Sequence, residues 1–373
     1  MKDPRLQKLA ESLVNYSVEV KKGHHVRIVG DYEAKPLLLE IIKEVKKVGA
    51  HPYVDILDDE ISREVALATT EDRLNMLAKW RKPQYESIDA SIGVYADRND
   101  YASVDVPTET KLLTAKIMRP LSNIIINTKK WVILNYPTHT LAHKAKMSYE
   151  QFYDYCLKVS MVDYSKMRSA FEPLKELLNK TDKVRITSPG TELSFSLKGI
   201  GSEPCSGECN IPDGEIYSAP VLESVNGVIT YNTPSGYRGN VYENVSLTFE
   251  NGKIIKATCA NESDNEKLEE IFNTDEGARY VGEFAIGVNP YITKPMGDIL
   301  YDEKIAGSIH FTPGQAYEGP ADNGNKSAVH WDLVLIQTEE FGGGEIYFDD
   351  VLIRKDGIFV IDSLKGLNPE NLK

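Results

Sequence analysis

The chain has few of the features that settle a protein's class at once. Four cysteines in 373 residues (Cys156, Cys205, Cys209 and Cys259) are too few for a disulfide framework. Cys205-x-x-x-Cys209 lacks the second pair or neighbouring histidine that a thiolate metal site would need. No apolar run is long enough to span a bilayer, and Met1-Lys2-Asp3-Pro4-Arg5-Leu6 lacks the apolar core of a secretory leader, so a cytoplasmic protein is expected. There is no internal repeat and no low-complexity tract. Gly342-Gly343-Gly344 is not followed by the Lys-Ser/Thr of a phosphate-binding loop, so no nucleotide is expected. The absence of a Gly-x-Ser-x-Gly elbow, and of any catalytic setting for the cysteines, argues against a serine or cysteine hydrolase. Positive charge is short as well: 43 Lys and Arg against 56 Asp and Glu leave a net charge of −13. Such a chain repels nucleic-acid backbones and anionic membrane surfaces, so neither is expected as a partner. Cations, and substrates with a free amine, are compatible with it.

Hydrophobic residues at 41% and charged residues at 27% describe an ordinary globular protein, and the length suggests two domains. Leu6, Leu9, Leu13 and Val14 recur at helical spacing. Residues His25 to Gly30 then predict a strand, Ala34 to Val48 an amphipathic helix closed by Gly49, and His51 to Leu57 a second strand. This β-α-β order implies a right-handed crossover and a mostly parallel sheet. Further strands are predicted at Ala90–Tyr95 and Trp131–Leu134, and helices near Thr110–Asn123 and from Ser148 to Asn179. Beyond Thr181 the segments become short and β-rich, and Glu250-Asn251-Gly252-Lys253 signals a hairpin. The expected architecture is an α/β N-terminal domain, residues 1–180, with a mostly parallel sheet. A β-rich α+β catalytic domain, residues 181–373, follows it.

Metal-type ligands are concentrated in that second half. Glu215 follows Gly214 at the start of a predicted strand, although an acid there also suits an exposed β-edge. Glu283 is the single acid of Val281-Gly282-Glu283-Phe284-Ala285-Ile286. Buried, it needs a cation or donors; the bland alternative puts Val281, Glu283 and Ala285 on a solvated face. His310 is a lone polar group in Ser308-Ile309-His310-Phe311, where a structural histidine is the bland alternative. Tyr317 lies beyond Pro313-Gly314 in a loop able to fold back toward it. His330 and Asp332 of His330-Trp331-Asp332-Leu333 share a face if that run is a strand, as metal ligands or as a plain hydrogen-bonded pair. Carboxylate and imidazole donors together suit Zn, Co and Mn.

Taken in order, these segments resemble the thermophilic aminopeptidase T family, the M29 metallopeptidases. The likeness rests on Asn210-Ile211-Pro212-Asp213-Gly214-Glu215-Ile216-Tyr217-Ser218-Ala219-Pro220, the Gly282-Glu283 strand, the His310 to Tyr317 spacing and His330-x-Asp332. Leu13-Val14-Asn15-Tyr16-Ser17 and Tyr136-Pro137-Thr138 extend it into the first half. The resemblance implies a homodimer with a dinuclear site of divalent ions (Zn, Co or Mn, with Mg a further candidate) that removes N-terminal residues from peptides. It implies that Glu215, Glu283, His310, His330 and Asp332 are ligands, that Tyr317 stands beside the metals, and that Glu283 bridges them. Glu283 and Tyr317 are then the expected catalytic groups, Glu283 or Glu215 as base and Tyr317 as oxyanion donor. Two alternatives stay open on the residues alone. One is a glycosidase using Glu215 and Glu283, which leaves the histidines without a role. The other is a non-enzymatic peptide- or metal-binding relative.

Overall fold

The computed structural model describes residues 3–373. Met1 and Lys2, the first residues of the segment read for a secretory leader and of the span 1–180, lie outside the described residues. Two compact units form. One comprises the residues up to Met161 together with Gly207–Ile211, and the other Val162–Ser206 with Pro212–Lys373.

The first unit is built on a five-stranded sheet, ordered His51–Leu57, His25–Asp31, Ala90–Tyr95, Lys130–Asn135 and Asn210–Ile211. Every pairing in it is parallel. Parallel neighbours cannot be joined by a tight turn, and the chain supplies helices as crossovers. Lys35–Val48 buries Leu37, Leu38, Ile41 and Val45 and ends on Gly49 in the left-handed conformation, as its spacing predicts. Pro4–Ser12 buries Leu6, Leu9 and Ala10, and Asp3 caps it by accepting from the Arg5 amide. Three α-helices of this unit lie outside the expected elements, the short His139–Lys144 and the longer Asp59–Leu67 and Glu71–Ser87. Asp59–Leu67 buries no residue; Glu71–Ser87 buries only Leu74 and Tyr85 and contains Pro83. Asp59–Leu67 does space Ile61 and Val65 one turn apart, but both stay exposed, whereas Glu71–Ser87 carries no apolar stripe; Asp58 and Thr70 cap the two helices.

The second unit contains two large antiparallel sheets and a two-stranded one that pairs Ser235–Tyr237 with Asn240–Tyr242. The largest has eight strands, in the order Lys253–Thr258, Ser246–Glu250, Asn226–Thr230, Thr191–Ser196, Lys183–Ser188, Glu345–Phe348, Val351–Lys355 and Ile358–Phe359. The smaller of the two large sheets has five: Val334–Ile336, Ser308–Pro313, Val281–Gly287, Glu215–Ser218 and Glu203–Cys205. Aromatic rings lock them together. Phe195 of the larger sheet lies 5.0 Å from Phe284 and 5.1 Å from Phe311 of the smaller, and Phe249 lies 5.9 Å from Phe311. Tilted and edge-on pairs at these separations add to the area they bury. One face of the smaller sheet is thereby fixed against an apolar core.

The expected hairpin joins Ser246–Glu250 to Lys253–Thr258, with Glu250 opposite Lys253. Asn251 and Gly252 take φ of 48° and 82°, the positive values a type I′ turn requires. A methyl group at Gly252 would lie 1.9 Å from the Leu222 carbonyl oxygen. Gly252→Ala should therefore cost about 2 kcal/mol or more in urea denaturation, while Asn251→Gly should change stability by less than about 1 kcal/mol. An unchanged midpoint for Gly252→Ala would contradict this turn.

Candidate functional site

Residues directly opposite in an antiparallel pair project to the same face, and so do residues two apart. Glu283 pairs with Thr312, Ala285 with His310, and Gly287 with Glu215. Glu215, Glu283, His310 and Thr312 thus share the face opposite Phe284 and Phe311. Ala285 and Gly287 put almost no side chain on that face, which leaves room among the polar groups. Every residue of Val281–Gly287 and Ser308–Pro313 is buried, so the solvated-face alternative for Glu283 is excluded. Glu283 is 2% exposed and His310 1%.

Gly282 is what admits the next segment. A Cβ there would meet the Gly314 carbonyl oxygen at 2.4 Å, and the ladder slips register between Val281 and Glu283. Gly314 in turn bridges His330. The predicted strand at His330 is shorter than expected: regular pairing covers only Val334–Ile336, and 331–333 lie outside it. Pro313, opposite this stretch, has no N–H to give a ladder. The shared face nonetheless holds. His330 Nε2 is 3.3 Å from Asp332 Oδ1, and Trp331 points away, stacked 4.8 Å from Tyr237.

The five expected ligands converge. His310 Nε2 lies 3.3 Å from Glu283 Oε1 and 3.5 Å from Glu215 Oε2, and His330 Nε2 lies 3.5 Å from Glu283 Oε2. Ligand-type atoms of Glu215, Glu283 and His310 lie within 4.8 Å of one another, as do those of Glu283, His330 and Asp332. Glu283 is common to both triads, with one oxygen toward each histidine. The Tyr317 loop does fold back: its ring centroid is 4.9 Å from that of His330 and 5.4 Å from that of Tyr217. Tyr317 is about half exposed, yet burial of its hydroxyl end, followed by the Glu283 and Asp332 carboxylates, holds the phenol above its ordinary range.

Three further groups belong to the cluster. Glu303 joins His310 and Asp332 in a third set within 4.8 Å. Lys304 is fully buried and donates from Nζ to Glu215 Oε1 at 2.9 Å and to Glu303. Cys205 stands opposite Glu215 in the ladder, its thiol within 4.8 Å of Asp213 and Glu215. The run Asp302-Glu303-Lys304 reads in sequence as an ordinary charged surface. Its one signal is position, close before the apolar strand that carries His310.

Burial and mutual charge govern how these groups hold protons. Burial would lower the His310 imidazole, but Glu215 and Glu283 outweigh it and raise it to about 10. His330 is raised to about 9 by Asp332 against the same opposition. Burial pushes Glu303 up to about 8, with Lys304 pulling the other way. It also raises Glu283, which His310 partly offsets. For Asp332 burial loses instead: His330, His310 and the Thr312 hydroxyl, 2.7 Å away, hold it below the usual carboxylate range. Lys304 stays well above its ordinary value because Glu215 and Glu303 overcome its burial.

The donor set fits divalent metal. Glu215 Oε2 and His330 Nε2 are buried without a hydrogen-bond partner, an arrangement that is costly unless something fills it. His330 Nδ1 donates to the Gln315 carbonyl at 2.8 Å, since that oxygen can only accept. The neutral ring therefore presents a bare Nε2 to the site, the outer-shell device that orients metal-binding histidines.

The profile of the family described as thermophilic metalloprotease (M29) matches residues 2–357. The chain belongs to the M29 family. As a member it is a metallopeptidase, which sets aside the glycosidase and the non-enzymatic relative. It is 24% identical to Aminopeptidase 2 of Geobacillus stearothermophilus over 95% of each chain. It is 25% identical to Aminopeptidase PepS of Streptococcus thermophilus over 88% of this chain and 91% of that one. Wild-type AmpT from Thermus thermophilus shares the fold with a TM-score of 0.81 at 21% identity, covering 96% of this chain and 99% of that chain. A 2,5-dihydroxypyridine dioxygenase from Pseudomonas putida KT2440 also shares it, with a TM-score of 0.61 at 12% identity over 96% and 98% of the two chains. One M29-type fold therefore accompanies differently named enzymes, and the chemistry must be argued from the site.

The proton balance gives a signed expectation for the metal-free protein. The raised histidines bind protons in the folded state that the unfolded chain releases above about pH 6.5. Their stabilisation is complete below that pH and is lost as pH rises through about 9 for His330 and about 10 for His310. The raised carboxyls of Glu283 and Glu303 act in the same direction, and the lowered Asp332 contributes a constant amount across this window. In excess chelator the melting temperature should fall steadily from pH 6.5 to 9.5, and the metal-loaded protein, whose ligating imidazoles carry no ring-Nε2 proton to lose, should fall less. A level or rising profile in chelator would contradict the assignment.

Proposed function

We propose that this chain is an aminopeptidase that holds two divalent ions, one among Glu215, Glu283 and His310 and the other among Glu283, His330 and Asp332. The observation that carries the reading is Glu283, a buried carboxylate with one oxygen toward each histidine. Zinc, cobalt and manganese suit this mixture of carboxylate and imidazole, and magnesium suits it less. When bound, such ions lower the pKa of a coordinated water and polarise a carbonyl. Glu303, whose carboxyl is pushed up to about 8 by burial, is suited to take and return a proton near neutral pH and joins Glu215 as a candidate base, Lys304 holding one oxygen of each. Tyr317, still protonated far above neutral pH, is placed beside His330 to donate to a developing oxyanion. Glu215, Glu283, Glu303 and Asp332 together make the pocket strongly anionic, which favours a substrate with a free α-amine and so removal of N-terminal residues. The relatives named as aminopeptidases support that choice. All these residues fall in 181–373, the half assigned the chemistry. The homodimer and the cytoplasmic setting belong to the same reading.

Hydrolysis of aminoacyl-p-nitroanilides should cease in EDTA and return with Co or Zn, and N-acetylated analogues should resist cleavage. Glu283→Gln should lose more than about a hundredfold in kcat/KM, beyond the cost of removing an outer-shell partner, while keeping its fold. Glu303→Gln should lower kcat about 10²- to 10⁴-fold with KM little changed, the range for a lost general base. Full activity after exhaustive chelation, or near-normal turnover by Glu283→Gln, would overturn this function.

A further inference from the structure

Lys304 has no direct part in the chemistry just described, yet it is fully buried among the site's carboxylates. Its ammonium is 0% exposed and donates to Glu215 Oε1 at 2.9 Å and to Glu303. An ammonium is tolerated out of water only where carboxylates repay its lost hydration. Here the repayment falls unevenly on the two triads. In the first, one of the two carboxylates, Glu215, already shares its charge with Lys304. In the second, Glu283 and Asp332 face His330 and are engaged by no hydrogen bond from the ammonium. Lys304 also divides the oxygens of Glu215: Oε1 is taken, and Oε2, which has no hydrogen-bond partner, is left facing His310.

We propose that Lys304 is a positioning residue that makes the two metal positions unequal. It holds Glu215 to a single free oxygen and weakens cation binding among Glu215, Glu283 and His310, so the ion there binds last and leaves first. The inference rests on the two-ion reading above. A fixed positive charge within a few ångströms of an incoming cation repels it more strongly in a buried site than it would in water. The position among Glu283, His330 and Asp332 feels that charge less, because Glu215 and Glu303 stand as its immediate partners. The looser ion would make activity respond to metal supply over a range in which the tighter position stays filled.

The test is a Co(II) titration of the chelator-stripped full-length protein, followed by calorimetry and visible absorption. The wild type should take up two ions in steps differing at least about tenfold in affinity. Lys304→Met should tighten the weaker step by about tenfold or more and move the tighter step by less than about threefold, closing the gap. Lys304→Gln, which can still donate to Glu215 without the charge, should close it too. A merely structural lysine would shift both steps together or neither. Two steps with an unmoved gap in the variants, or a weaker step that weakens further, would overturn this inference alone. Two equal steps in the wild type would overturn it without any variant. Uptake of fewer than two ions by the wild type would overturn the two-ion reading and this inference with it.

Discussion

The Glu283 carboxylate, buried and turned with one oxygen toward His310 and the other toward His330, is the constraint on which the second unit depends. A carboxylate so enclosed is expensive unless cations surround it. The surrounding structure is arranged to keep it there. Phe284 and Phe311, its neighbours along and across the ladder, anchor the sheet to an aromatic core on the other face. Gly282 admits the Gly314 segment that brings His330 into range. Ala285 and Gly287 keep the space beside it clear.

Charge explains why so polar a cluster sits inside a protein. Glu215, Glu283, Glu303 and Asp332 bring four carboxylates together, and Lys304 answers them with one ammonium. In the absence of metal, the balance falls to protons: the carboxylates raise His310 and His330 against their burial, while burial itself raises Glu303. Two divalent ions would replace those protons. On that reading the same residues would be compensated by protons without metal and by the ions with it, so that pH and metal act on one balance.

Much of this was legible in the sequence because it is local. Glu215, Glu283, His310, Tyr317, His330 and Asp332 lie in segments whose order resembles one family, and period-two alternation already put His330 and Asp332 on one side. What was not legible is what only packing decides. Nothing in Asp302-Glu303-Lys304 distinguishes a lysine without solvent exposure from one on the surface. The burial of Glu283 could not be told from simple alternation until both neighbouring strands were in place. The strand at His330 was overextended because hydrophobic pattern does not register that Pro313, across the ladder, lacks a donor. In the first unit, the long apolar stripe of Lys35–Val48 makes that helix legible, whereas Asp59–Leu67 offers only the short Ile61 and Val65 spacing and Glu71–Ser87 almost no apolar periodicity.

The fold accommodates an M29 metallopeptidase and, at lower similarity, a dioxygenase, so the donor set decides what it does here. The central claim is that Glu283 is shared by two ions. Anomalous scattering from a crystal grown with Co(II) or Zn(II) measures this most directly. The account predicts two peaks, both within coordinating distance of Glu283, one beside Glu215 and His310 and the other beside His330 and Asp332. A single peak, or two peaks that do not share Glu283, would contradict it.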